Sequence, residues 1–334
     1  MNEFIDACFG RKVDRIPVWF MRQAGRSLPG YRALRKKYGV LELAQTPELA
    51  AHVSLEPISL LGVDAAILFA DIMLLPIALG VDVAIVDSVG PVLKDPIDTP
   101  KKIHELRNFD PTSLAYLAAT IKILRAELAV PLIGFSGAPF TLASYLIEGK
   151  PSRTWTKTKR FMIEEPRAWN ELMRILSKNI VNYLRLQIDA GAQAVQLFDS
   201  WVGALSPEMY RRQVLPHVEH IFASLQKSNV PRLHFGTNTA GLLRDFASVD
   251  AEVIGLDWRV DIAAAKKIVG PKSIQGNLEP TLLLGDWRTI RTSTDHILSS
   301  LNPKRGFIFN FGHGVLPETD DRVLKRLVEY VHNK

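Results

Sequence analysis

The segment IPVWFMRQAGRSLPGY, residues 16–31, joins an apolar stretch to two arginines four residues apart. Its first part, 16–20, is rich in β-branched and aromatic side chains, which is typical of a buried strand. Arg22 and Arg26 follow directly. A guanidinium binds a carboxylate or phosphate through two parallel bonds and keeps its charge, so the pair is predicted to be an anion receptor at a strand end. A solvated turn with surface ion pairs is an equally compatible interpretation.

Seven further apolar segments follow along the chain, and most are separated by helical patterns. The eight predicted strands are 16–20, 65–69, 131–135, 194–198, 232–235, 253–256, 273–275 and 306–309. Eight strands alternating with helices are what a closed β/α barrel requires. The predicted fold class is therefore α/β, as a single (β/α)8 TIM barrel domain over residues 1–334 with its active-site cleft at the carboxyl ends of the strands.

The connections between these strands carry helix and hairpin patterns. Amphipathic helices are predicted at 47–61, 113–128, 168–190 and 207–224. Thr46 and Ser206 each precede a proline, which predicts a capping hydroxyl in front of the first helical residue. The segment VDVAIVDSVGPVL, 81–93, alternates well enough to predict a hairpin outside the barrel.

Composition limits the kinds of partner and the cellular location that are expected for this protein. The chain has 334 residues, 47% hydrophobic, with a net charge of +6, so it can bury a large core and favours an acidic partner. The basic cluster at 153–160 is short and is better explained as a solvated loop, so no nucleic acid is expected. The single cysteine, Cys8, excludes a disulfide framework and a thiolate metal cage. Neither a membrane-length apolar run nor a targeting segment is recognisable, which predicts a cytoplasmic protein without membrane contact.

Several polar side chains that could take part in catalysis or binding follow the predicted strands. Asp71 lies in the apolar context ILFADIMLLP, where a carboxylate needs a partner, either an N-cap or ion pair or a catalytic cation. His313 stands between two glycines and could equally be a surface-loop histidine. Tyr145 and Ser200 are, by themselves, more often structural. His217 and His220 have no third ligand nearby in the sequence, so no metal site is predicted.

Two long motifs, PVWFMRQAGR at 17–26 and GFSGAPFTLASYLIEG at 134–149, resemble the diagnostic segments of the uroporphyrinogen decarboxylase family. Further similar motifs run the length of the chain: FADI at 69–72, LFDSWVG at 197–203, HFGTNTAGLL at 234–243, GLDW at 255–258, QGNLEP at 275–280 and NFGHGVLPET at 310–319. The resemblance implies a (β/α)8 barrel, which agrees with the independent count of strands. It also implies homodimers and catalysis without cofactor or metal.

The implied reaction removes the carboxyl groups of the four acetate side chains of uroporphyrinogen III. The products are coproporphyrinogen III and carbon dioxide, in haem biosynthesis. The substrate's own pyrrole, once protonated, accepts the electrons that the departing carboxyl group leaves behind. Most decarboxylations recruit a cofactor for this purpose.

The resemblance also implies roles for particular residues. Asp71 accepts hydrogen bonds from the pyrrole N–H groups and offsets the developing positive charge. Arg22 and Arg26 hold carboxylates, and Arg22 is the choice for delivering a proton. The implied catalytic residues are Asp71, Arg22, His313 and Tyr145; the implied substrate contacts are Arg22, Gln23, Ala24, Gly25, Arg26, Asp71, Tyr145, Ser200 and His313.

The chain departs from the family pattern at a few positions, and three competing functions stay open. It has Ser27, Asn238 and Glu279 where the family usually has tyrosine, a small residue and aspartate, which leaves the detailed shape of the cleft open. A methyltransferase of the same superfamily would need zinc held by His and Cys ligands, and Cys8 precedes the first strand. A non-catalytic tetrapyrrole carrier is the second competing function, and a nucleic-acid binder is a more distant third.

Overall fold

The computed structural model describes residues 2–334. Nine strands are present in this part of the chain: β1 Ala66–Ile67, β2 Val83–Val86, β3 Gly90–Leu93, β4 Leu132–Gly137, β5 Ala194–Asp199, β6 Arg232–Gly236, β7 Val253–Gly255, β8 Ser273–Leu278 and β9 Phe307–Phe311. Strands β1 and β4 to β9 form one parallel sheet in chain order. Strands β2 and β3 form the predicted antiparallel hairpin.

The α-helices lie between and around these strands. They are α1 Glu3–Cys8, α2 Pro29–Arg35, α3 Val40–Gln45, α4 Pro47–Leu61, α5 Leu74–Ala78, α6 Pro100–Ile103, α7 Ala115–Glu127, α8 Pro139–Glu148, α9 Thr156–Glu164, α10 Pro166–Ala190, α11 Pro207–Gln213, α12 Leu215–Ser224, α13 Leu243–Ser248, α14 Ile262–Val269, α15 Trp287–Ser299 and α16 Asp321–His332. None of the helices in residues 2–334 combines the length and the hydropathy that crossing a bilayer requires.

The prediction of a first strand at 16–20 is wrong as stated, because this segment makes only one isolated parallel bridge, from Val18 to Phe309. Its backbone nevertheless bonds on both sides: the Phe309 N–H donates to Pro17 O at 2.9 Å, and the Asp64 N–H donates to Val18 O at 2.7 Å. Two features prevent a regular ladder. Pro17 has no N–H, and the Val18 N–H donates to the Asp64 carboxylate instead of to a strand.

The other predictions of elements are largely confirmed, with local exceptions. The helix predicted at 207–224 is two helices, α11 and α12, because Pro216 lacks an N–H and its ring crowds the preceding turn. Ser206 caps α11 by accepting from the Met209 N–H, as predicted. Thr46 does not cap α4, because its hydroxyl donates backwards to Glu42 O.

Strands β4, β6, β8 and β9 are buried along their whole length, since helices cover one face of the sheet and side chains fill the inside. The interior includes a polar relay: Trp19 Nε1 donates to Gln275 Oε1 at 2.8 Å, and Gln275 Nε2 donates to Gln196 Oε1 at 3.0 Å. This relay ties the segment at 16–20 to β8 and β5. It holds the first extended segment, and the arginines that follow it, against the sheet.

Candidate active site

The four predicted catalytic residues come from four separate connections at the carboxyl ends of the strands. Arg22 follows the extended segment 16–20, Asp71 follows β1, Tyr145 lies on α8 after β4, and His313 follows β9. Asp71 and Tyr145 both act electrostatically on Arg22, and Arg22 acts on His313. The fold therefore brings all four side chains within electrostatic range of a common centre, Arg22.

The arginine turn, residues 22–26, carries two guanidiniums that no anion of the described residues pairs with. Among the described residues, neither Arg22 nor Arg26 makes a side-chain hydrogen bond or a salt bridge, so the surface ion-pair interpretation is not found. The pKa of Arg22 lies below its ordinary value because the surrounding protein desolvates it and because Arg26 repels its charge. Arg22 is nevertheless exposed, so its guanidinium can reach a ligand from solvent. Its φ of 62° is left-handed, a conformation that costs a non-glycine residue about 1–2 kcal/mol.

Asp71 has one carboxylate oxygen engaged and one free. Its Oδ1 accepts the Met73 N–H at 2.8 Å in a local turn. The N-cap of α5 is Met73 and Asp71 makes no salt bridge among the described residues, so neither structural interpretation, N-cap or ion pair, is found. Its Oδ2 has no partner among residues 2–334, and the half-buried side chain is open to a ligand. Burial raises the pKa of Asp71, while the Met73 N–H and the nearby Arg22 guanidinium partly offset that effect. A free acceptor of this kind suits an N–H donor.

Tyr145 belongs to an aromatic wall. Its ring lies 5.9 Å from that of Trp155 and 6.1 Å from that of Trp201, both edge-on. Burial raises the pKa of Tyr145 to about 12, so its hydroxyl stays a hydrogen-bond donor across the physiological range. Ser200 stands beside Trp201 at the end of β5 and is half-buried; its carbonyl accepts the Thr237 hydroxyl at 2.5 Å.

His313 is not an ordinary surface-loop histidine. It is half-buried, and its ring lies 5.9 Å from that of Trp258 in an edge-on arrangement. Burial, followed by the charges of Arg22 and Arg259, lowers the pKa of His313 to about 4, against an opposing effect of Asp257. The imidazole is therefore neutral at pH 7 and can donate through one nitrogen and accept through the other.

Gln23, predicted as a substrate contact, has a different place. Its side chain is fully buried: Oε1 accepts the Phe20 N–H at 2.9 Å, and Nε2 donates to Ala65 O at 2.9 Å. The side chain therefore ties the arginine turn to the chain just before β1 and does not face a ligand. Ala24 and Gly25 are half-buried on the same turn as the arginines, where the resemblance placed them.

Sequence reasoning missed Arg259, in the loop after β7. Asp257 is fully buried and accepts the Arg259 N–H at 2.8 Å, the Arg259 guanidinium at 3.2 Å, and the Asn238 N–H. Asn238 is exposed in a left-handed conformation that asparagine tolerates, and Ser27 is buried, so these two departures from the family pattern have defined places. The only signal was an arginine directly after the GLDW motif.

A cavity lies at the opposite end of the sheet, away from the arginine turn. Its volume is about 350 Å³, and it is lined by Lys266, Lys267 and Arg305 among others, near the amino ends of β8 and β9. Lys266 is engaged there, since its ammonium donates to Lys272 O at 2.7 Å. Within residues 2–334 no three His, Cys, Asp or Glu side chains are grouped as metal ligands. The arginine turn therefore remains the better candidate.

Comparison with known proteins identifies the family of the chain. The model of the family described as uroporphyrinogen decarboxylase (URO-D) matches residues 1–334. The chain is 48% identical over 331 residues to the uroporphyrinogen decarboxylase of Bacillus subtilis (strain 168), covering 98% of this chain and 94% of that protein. It is 49% identical over 335 residues to that of Thermobifida fusca (strain YX), covering 100% and 93%. The chain belongs to the uroporphyrinogen decarboxylase family. This membership confirms the family, the enzyme class and the decarboxylase activity in haem biosynthesis that the motifs predicted.

Solved structures support the fold. A methyltransferase from Methanosarcina mazei superimposes with a TM-score of 0.82 at 21% sequence identity, covering 99% of this chain and 97% of that one. At that identity the likeness concerns the fold alone. It agrees with the α/β architecture of a curled parallel sheet surrounded by helices.

Proposed function

We propose that this enzyme converts the four acetate side chains of uroporphyrinogen III to methyl groups, releasing carbon dioxide and leaving coproporphyrinogen III, without a cofactor. One arrangement carries the proposal: the free Oδ2 of Asp71 lies within electrostatic range of Arg22, on a turn whose two guanidiniums have no protein partner among the described residues. An acceptor for pyrrole N–H groups beside receptors for carboxylates matches both halves of this substrate.

Decarboxylation needs a group that accepts the electron pair of the broken carbon–carbon bond. A proton added to the pyrrole carbon next to the one that bears the acetate makes the ring cationic. The bond to the carboxyl group then breaks, its electron pair enters the ring, and carbon dioxide leaves. The exocyclic methylene takes up a proton as the ring carbon releases one, so each acetate consumes one proton overall.

Asp71 is assigned to the cationic ring. Its ionised carboxylate accepts pyrrole N–H groups and faces the positive charge that appears on protonation. A preorganised charge of this kind is worth about 3–4 kcal/mol of transition-state stabilisation per group. The Arg22 guanidinium favours the ionised form of Asp71, since it opposes the rise in the pKa of Asp71 that burial causes.

The remaining side chains are assigned to the substrate's acidic arms. Arg22 and Arg26 bind carboxylates, and Arg22, whose pKa burial and Arg26 lower, is the proposed proton donor. The protonated hydroxyl of Tyr145 donates a hydrogen bond, and the neutral ring of His313 donates or accepts one. Ser200 offers its hydroxyl at the end of β5.

Three further points of the proposal concern the closure of the sheet, the oligomeric state and the location of the protein. We propose that the segment at 17–20 closes the sheet as an eighth strand, supported by its hydrogen bonds to Phe309 and Asp64. A homodimer, which the resemblance implies, and a cytoplasmic location, which the sequence without a recognisable membrane or targeting segment predicts, stay predictions. Sedimentation of the purified protein across a range of concentrations measures the first, and fractionation of cells measures the second.

The deciding experiment incubates the purified protein with freshly reduced uroporphyrinogen III, with and without a chelator. The products are oxidised and separated by chromatography. We expect the porphyrin with eight carboxyl groups to give way to those with seven, six, five and four in both conditions. Binding of the porphyrinogen without any product would overturn the proposed activity and favour a carrier.

Asp71→Asn is the matched test of the mechanism. The amide keeps the shape and an acceptor for the Met73 N–H but removes the charge, so we expect kcat to fall by about 10²–10³ at unchanged melting temperature. Asp14→Asn, at an exposed carboxylate without a side-chain partner among the described residues, is the control and should behave as the parent enzyme. Near-normal turnover of Asp71→Asn would remove Asp71 from the mechanism.

A further inference from the structure

Trp258 holds two basic side chains from different loops. The Arg259 guanidinium carbon lies 3.7 Å from the centre of the Trp258 ring, and the His313 ring lies edge-on to the same indole at 5.9 Å. Arg259 follows β7, whereas His313 follows β9. The two loops touch through their backbones, because a Cβ on Gly312 would overlap the backbone nitrogen of Trp258. Arg259 and His313 therefore pack on the same indole, and the charge of Arg259 acts on His313.

The Arg259 side chain is held in one orientation, and some of its hydrogen-bond donors have no partner among the described residues. It stacks on the indole and donates one Nη1 hydrogen bond to Asp257 Oδ2 at 3.2 Å, while 46% of the side chain is exposed. Its Nε and Nη2 atoms have no partner among residues 2–334. Stacking and one hydrogen bond fix a guanidinium in direction, so less conformational entropy is lost when its free edge binds an anion.

A purely structural ion pair with Asp257 does not explain this geometry. Asp257 already accepts two backbone N–H groups, from Arg259 and Asn238, which satisfy a buried carboxylate without the guanidinium. The Arg259 pair is one bond rather than the bidentate fork that arginine forms with a dedicated carboxylate partner. The charges of Arg259 and Arg22 both act on His313 and lower its pKa.

We propose that Arg259 and His313 together bind a carboxylate side chain of the substrate that is not reacting, at a second anion site beside the arginine turn. The proposal rests on the proposed function for the identity of the substrate. Arg22 and Arg26 are two cations for a macrocycle with eight carboxylates. Arg259 supplies a third charge at the rim, and the neutral His313 supplies a donor.

The test measures KM, kcat and direct binding of uroporphyrinogen, followed by fluorescence, for Arg259→Gln and Arg259→Ala. The first variant keeps a polar side chain that is shorter than arginine, and it removes the charge and the guanidinium that stacks on Trp258. We expect both variants to raise KM and the dissociation constant about tenfold, with kcat within about twofold, since charged hydrogen bonds are worth that much. The defect should shrink in high salt.

Arg11→Ala is the matched control. Arg11 also pairs with an aspartate, Asp6, at 2.8 Å and also lies over an aromatic ring, that of Phe9 at 5.3 Å, but at the opposite end of the sheet. It should leave every constant unchanged. Unchanged KM and binding in the Arg259 variants, with an active parent enzyme, would overturn this proposal alone. An inactive parent enzyme would overturn the proposed function instead, while the binding measurement would still test Arg259.

Discussion

Gly314 lies directly against the side chain of Arg22, so that a Cβ on residue 314 would overlap Arg22 Cδ and fall 2.7 Å from Cγ. The two loops are joined there, because the Val315 N–H donates to Met21 O at 2.8 Å. Gly314 is not in a left-handed conformation, so its missing side chain, and not its backbone freedom, is what the site uses. The loop after β9 thus determines where the Arg22 guanidinium lies.

Gly314→Ala should displace Arg22 without unfolding the protein. A misplacement of about 1 Å costs up to about 10² in rate, so we expect kcat/KM for uroporphyrinogen to fall towards that factor, with a small change in melting temperature. Gly241→Ala is the control, because a Cβ there meets nothing closer than 3.9 Å. Parent-like kcat/KM for Gly314→Ala would show that Arg22 can move without consequence.

Arg26→Ala should weaken substrate binding. Arg26 is exposed, and it has no side-chain partner within residues 2–334, so removing it leaves no protein group unsatisfied. We expect KM to rise about tenfold, as for loss of a charged hydrogen bond, with the melting temperature unchanged. Steady-state kinetics at low and high salt measure this. An unchanged KM would move the carboxylate receptor elsewhere, with Arg32 on α2 as the next residue to test.

Gln23→Ala should mainly reduce stability. It leaves two buried backbone groups, the Phe20 N–H and the Ala65 carbonyl, without their partners, at about 1–3 kcal/mol for each. The expected result is a clear fall in the midpoint of urea unfolding. Gln226→Ala, at an exposed position, is the control and should leave the midpoint in place. Equal midpoints for the two variants would contradict the supporting role of Gln23.

Asp199 and His234 form a buried pair with opposite responses to pH. Asp199 Oδ2 lies 4.0 Å from His234 Nε2, and both side chains are fully buried. Burial raises the pKa of Asp199 to about 7 and lowers the pKa of His234 to about 3. The Asp199 contribution to stability is complete below pH 3.8 and is lost as pH rises to about 7. The His234 contribution is complete above pH 6.5 and is lost as pH falls to about 3.

Removing one partner should therefore leave the dependence of stability on pH that the other partner causes. Between about pH 4 and 6.5, Asp199→Asn should lose stability on acidification more steeply than the parent, and His234→Phe less steeply or with the opposite sign. Each group can change the slope by up to about 1.4 kcal/mol per pH unit. Urea midpoints at several pH values measure it. Parallel curves for the two variants would mean that neither group changes its protonation on unfolding in this range.

Much of the architecture was readable in the sequence because it is encoded locally. Strands β4 to β9 lie within one or two residues of their predictions, apart from the three residues that β8 gains at its end, and α4 has its predicted bounds. Apolar runs and helical periodicity depend on neighbouring residues only. Two predictions failed because a local interaction competes with the regular element. Pro216 divides the helix predicted at 207–224. The Asp64 carboxylate accepts the Val18 N–H that a regular strand would donate to its neighbour.

The sequence by itself determined the family, the order of the elements and the set of chemical groups, because motifs and periodicity are properties of contiguous residues. Only the tertiary structure decided which way the side chains face. It turned Gln23 inward, placed Gly314 under Arg22, and brought Arg259 and His313 to one indole. These relationships join loops that are far apart along the chain, so they depend on how the parallel strands align their carboxyl ends, which no local pattern encodes.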